Sequence, residues 1–229
     1  MDDQCFMAAI DRILAWLKWP IAALAVGLLP GALAAAFDLT RQILHRPGPL
    51  VPFLVGGGLY VILRYVIFRH RLLGTFFSTL EHELTHAIFA WLTWHRVTGL
   101  RASWYRGGQI SIQGGANWLI AIAPYFFPTI CFVLTPLLAI LPAAGSPLAS
   151  GGMGFAFAYH AVSTRYETHL GQTDLQRVGW LFALLVLPTA NLLSMGAVVA
   201  IAYDGLSGLS AFAASVPREA WQLTTWLVG

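Results

Sequence analysis

Residues Leu72–Trp94 read LLGTFFSTLEHELTHAIFAWLTW: a stretch long enough to cross a bilayer, with Glu81, His82, Glu83 and His86 crowded into six positions at its middle. A helical span needs about 20 mostly apolar residues. An acidic side chain at mid-bilayer costs about 2.5–3.5 kcal/mol on insertion scales, so two of them require a partner or a purpose. A purely structural account pairs Glu81 or Glu83 with Arg64 of the preceding apolar stretch. The spacing of the histidines offers a chemical account instead.

The rest of the chain sets the context for that stretch. Of 229 residues, 58% are hydrophobic and only 10% are charged. Soluble domains carry about 25% charged residues, so this composition excludes an ordinary soluble protein. A net charge of +3 with scattered arginines gives no nucleic-acid footprint. Cys5 and Cys131 form neither a disulfide framework nor a CxxC metal pair. We therefore expect one all-α integral membrane domain over residues 1–229 with about six transmembrane helices. They are placed at about 16–37, 50–68, 72–94, 118–141, 150–170 and 173–203, followed by an interfacial tail at 204–229. Between the third and fourth spans, residues 101–115 read RASWYRGGQISIQGG. The polar–apolar alternation of Gln109–Gln113 between glycine pairs predicts a short β-hairpin or edge strand. It is either an interfacial loop or an edge able to receive another extended chain.

His82-Glu83-Leu84-Thr85-His86 is an H-E-x-x-H sequence. On a helix, positions four apart differ by about 40° of rotation and about 6 Å of rise, so both imidazoles leave one face and can share a Zn²⁺. Glu83, about 100° round from His82, can reach a water on that metal and take its proton. Shuffling this composition would produce the pattern in roughly 0.4% of sequences, which favours chemistry over coincidence.

A helix-borne H-E-x-x-H inside a span resembles the site-2-protease family of intramembrane zinc metallopeptidases, over about residues 72–203. The resemblance implies a multi-pass enzyme of a bacterial plasma membrane that cleaves membrane-embedded or membrane-adjacent proteins or peptides. It implies His82 and His86 as zinc ligands, Glu83 as general base and a later Asp as third ligand. The chain lacks the family's common Asp-Gly version of that aspartate and its PDZ domain. Gln172-Thr173-Asp174-Leu175 stands closer to the compact bacterial pattern. Gly114-Gly115-Ala116-Asn117 matches the family's Gly-x-x-Asn run, which implies a substrate-binding Asn117 near the active centre. A plain helix cap is the competing role.

Four downstream residues can complete a three-ligand site: Asp174, His160, Glu167 and His169. Asp174 also fits a capping box at a helix start. His160 lies in an apolar run and needs a partner of some kind. Glu167 and His169, after Arg165, read as solvated or locally paired. Asp174 is the first choice for its charge and its family-like setting, although a regular sixth helix would hold it near the interface while the histidines lie mid-span. Asn191 reads as an interhelical bonding partner. Two other functions stay open. One is a non-proteolytic zinc-binding scaffold or transporter, and the other a bis-histidine haem or quinone site.

Overall fold

The computed structural model describes residues 3–66, 71–103, 107–140, 147–169 and 171–228. The ends of several expected segments (67–68, 104–106, 141, 170 and 229) lie outside the described residues. In chain order the elements are α1 (Asp3–His45), α2 (Val51–Val66), α3 (Arg71–Leu92), β1 (Val97–Ser103), β2 (Gly107–Ile112), α4 (Trp118–Ile122), α5 (Thr129–Ile140), α6 (Pro147–Glu167), α7 (Thr173–Val178) and α8 (Trp180–Val228).

By length and apolarity, three helices are able to cross a membrane: Gln4–His45, Gly48–Val66 and Trp180–Trp226. The segments Trp118–Tyr125 and Thr129–Pro136, bent by 84°, add a fourth if they act as one span. Among the described residues these make three or four candidate spans, and the expected count of six is not confirmed. The expected third and fifth spans are helices, α3 and α6, but too polar along their length to qualify. The expected fourth span breaks where Pro124 and Pro128 flank Phe126-Phe127, since proline withholds a backbone donor and restricts the residue before it.

The sixth expected span is also divided. Gly179, with φ of 97°, separates α7 from α8, and α8 itself turns at Asp204–Gly205. Its first leg, 180–203, runs alongside α1, with Thr189 Oγ1 donating to the Ala25 carbonyl at 2.7 Å, and Lys18 Nζ of α1 donates to the Val178 carbonyl at the end of α7 at 2.7 Å. The second leg, 206–228, doubles back. Phe212 lies against Gly196, and Val216 and Ala220 pack on Gly31. Phe212 and Val216 join Ala32, Ala35 and Ala200 in a buried cluster, so the tail expected at an interface is packed on two helices.

Small residues also set the second packed pair. Gly56 of α2 and Gly154 of α6 meet backbone of the facing helix so closely that any Cβ would overlap it. Close approach of this kind is how apolar helices gain contact where lipid supplies little drive to associate. The pair continues to Arg64, which lies over the Tyr166 ring at 5.6 Å.

β1 and β2 form a two-stranded antiparallel sheet, with Leu100 opposite Ile110 and Arg101 opposite Gln109. This matches the expected hairpin near residues 101–115. The outer edge of β2 pairs with no further strand among the described residues.

Candidate metal centre

The residues of α3 are arranged with their polarity inward. Leu84, Trp91 and Leu92 are exposed, whereas Glu81, Glu83, Thr85 and His86 are buried. The apolar face suits lipid, and the ionisable groups meet protein. One helical turn brings the His82 and His86 rings to a centroid separation of 4.8 Å.

Asp174 enters from the first turn of α7. Its Oδ2 lies 3.4 Å from His86 Nε2 and 3.7 Å from His82 Nε2. Those separations are long for hydrogen bonds. They match donors around one tetrahedral Zn²⁺, where bonds of about 2.0–2.1 Å put ligand atoms roughly 3.3 Å apart. One donor atom from each of His82, His86 and Asp174 lies within 4.8 Å of the others.

The far nitrogens of both rings are committed. His82 Nδ1 donates to Glu167 Oε2 at 2.9 Å, and His86 Nδ1 donates to the Ile120 carbonyl at 2.7 Å. A proton held at Nδ1 leaves the Nε2 lone pair facing the centre, the arrangement a metal-binding histidine needs. Ser78 in turn donates to Glu167. The residues present therefore fit a zinc ion.

Of the four downstream candidates, Asp174 is the one brought to both Nε2 atoms. Glu167 reaches His82 from the outer side, so it is not the solvated turn residue its sequence context implied. His160 is turned toward Glu81, with Nδ1 3.7 Å from Oε1, and its Nε2 lies 3.3 Å from Thr164 Oγ1. His169 is exposed and accepts from the Gly171 amide.

Glu83 borders a cavity of about 400 Å³ with His86, Asp174 and Arg177 on one side and Gly108–Ile110 of β2 on another. Among the described residues its carboxylate forms no hydrogen bond or ion pair. Gly108 passes so close that a Cβ there would overlap Glu83 Cγ and Oε1 and Thr79 Cγ2. Asn117 takes the capping role that competes with substrate binding. Its Oδ1 accepts the Ile120 N–H at 3.1 Å as the cap of α4, and its Nδ2 donates to Asp11 at 3.0 Å. Its amide is thus committed to the scaffold, while its neighbours Gly115 and Ala116 line the cavity. Asn191, read as an interhelical partner, donates to the Tyr125 carbonyl at 3.0 Å.

The family described as Peptidase M50B-like matches residues 53–214, a range that includes α3, the hairpin and α7. The chain belongs to this family. Its membership makes it a peptidase by family, and its long apolar helices make it a membrane protein. No curated protein and no solved structure matches it.

Proposed function

We propose that this M50B-like peptidase is an intramembrane zinc metalloprotease of a plasma membrane, in which His82, His86 and Asp174 hold zinc and Glu83 is the general base. The observation that carries the reading is the convergence of two Nε2 atoms and one carboxylate oxygen beside a cavity bordered by Glu83 and β2. Among the described residues this cluster has three members, the number of protein ligands in a hydrolytic zinc site, whereas a structural site uses four. Zinc bound there would polarise the scissile carbonyl and lower the pKa of a water to about 7. Glu83 takes the proton of the attacking water and returns it to the leaving nitrogen. Glu167 and the Ile120 carbonyl keep the imidazoles in one tautomer.

The substrate is a membrane-embedded or membrane-adjacent protein or peptide. A helix hides its peptide bonds, so the segment to be cut must be extended, and the unpaired edge of β2 offers backbone groups to hold it. The test is hydrolysis of a fluorogenic membrane peptide by purified protein in lipid vesicles. Activity should vanish on chelation and return with Zn²⁺. Cleavage that survives complete metal removal would contradict the assignment.

Gly108 supplies a narrower prediction. Gly108→Ala should displace Glu83 and lower turnover roughly 10²-fold, the penalty of about 1 Å of misplacement at a reacting group. Zinc content should hold. Unchanged turnover in Gly108→Ala would show that the strand does not set the position of the base.

A further inference from the structure

Tyr125 ends the turn Ala123-Pro124-Tyr125 at the bend between α4 and α5, and it is only 1% exposed. Its hydroxyl has no hydrogen-bond partner among the described residues. Buried O–H groups are rarely left so, because the lost hydration is not repaid. Three buried side-chain oxygens among the described residues share this condition: those of Tyr125, Ser150 and Tyr159. Tyr125 alone of these packs against a member of the His–Asp cluster, its ring and that of His82 forming a T-shaped pair with centroids 5.3 Å apart.

Packing does not explain the hydroxyl. Phe126 and Phe127 follow directly, and Phe182 fills the same core cluster as Tyr125, so this region accepts phenyl rings. The backbone at Tyr125 is fixed by the Asn191 bond to its carbonyl, which holds the ring in place. An O–H donor is therefore kept, without an acceptor, beside the residues proposed to act on a peptide bond. The missing acceptor is one that arrives with the substrate.

We propose that Tyr125 is a catalytic residue whose O–H donates a hydrogen bond to the scissile carbonyl oxygen as negative charge builds there. This rests on the peptidase reading above. No proton is transferred: it stays on the phenol while the water oxygen bonds to carbon, and Glu83 handles the proton that must move. A donor aimed at developing charge acts in the transition state more than in the ground state, so its loss should appear in kcat and little in KM.

The experiment compares Tyr125→Phe with wild type and Glu83→Gln, each as the full chain in lipid vesicles. In metal-free protein Tyr125→Phe should melt at the wild-type temperature or above it, because no bond is removed. Zinc content should be unchanged. kcat should fall roughly 10²–10³-fold, the loss typical of one such donor. Affinity for a phosphonate peptide, which carries a tetrahedral anion at the scissile position, should fall by a similar factor. Affinity for the uncleaved peptide, measured with Tyr125→Phe in a Glu83→Gln background, should hold. Wild-type kcat in Tyr125→Phe, with Glu83→Gln inactive, overturns the tyrosine alone. A melting temperature lowered by several degrees also overturns it, since the hydroxyl would then have a structural partner. Absence of wild-type hydrolysis with zinc fully loaded overturns the peptidase reading and this inference with it.

Discussion

Glu83→Gln is expected to leave the fold and the metal content intact while turnover falls about 10²–10⁴-fold, the usual worth of a general base. The amide keeps the volume of the carboxylate, and Glu83 borders the cavity without a structural partner among the described residues, so nothing in the packing should change. Gln cannot accept the proton of the attacking water or carry it to the leaving nitrogen. The measurement is single-turnover hydrolysis of a membrane peptide, paired with metal analysis of the same sample. A variant that cuts as fast as wild type would remove Glu83 from the mechanism. A variant that loses its metal would instead make Glu83 a ligand.

Part of the local geometry was legible in six residues. The spacing of His82 and His86 requires that both rings leave one helical face, and the structure puts their centroids 4.8 Å apart. The alternation at Gln109–Gln113 likewise foretold a strand, and β2 occupies Gly107–Ile112. The membrane count was not legible in the same way. α3 carries Glu81, His82, Glu83 and His86 within six residues and α6 carries polar residues through to Glu167, so neither is apolar enough over its length to qualify as a crossing, and the expected count of six is not confirmed. The tail after Asp204 carries Arg218 and Glu219, which suggested an interface, yet Phe212 and Val216 are buried against α1 and the first leg of α8.

The surroundings of the candidate centre depend on contacts between residues far apart in sequence. Glu167 follows Arg165 in what read as a solvated turn, and only the end of α6 beside α3 reveals its bond to His82. Asn117 was read through a family pattern that places it by the active centre. Its partner Asp11 lies 106 positions away, so no local signal could announce that bond. Tyr125 gave no signal at all, since an aromatic in an apolar run is read as core. The depth objection to Asp174 rested on a regular sixth helix. Gly179 divides that helix, and Asp174, in the short segment before it, lies beside the histidines.

The second large effect concerns the metal. On the proposed assignment, removing any one of His82, His86 or Asp174 leaves two ligands, and two hold zinc poorly where three plus water are the rule. Asp174 matters for a further reason. It is the one anion among the three, and in a low-dielectric setting it offsets charge that two neutral imidazoles cannot. His160, engaged with Glu81 and Thr164, should be dispensable to the metal. The most direct test is therefore zinc content by elemental analysis of the purified wild type beside His82→Ala/His86→Ala, Asp174→Ala and His160→Ala. The account predicts about one zinc per chain in wild type and His160→Ala, and little in the other two. Full zinc in His82→Ala/His86→Ala, or zinc retained in Asp174→Ala and lost in His160→Ala, would contradict it.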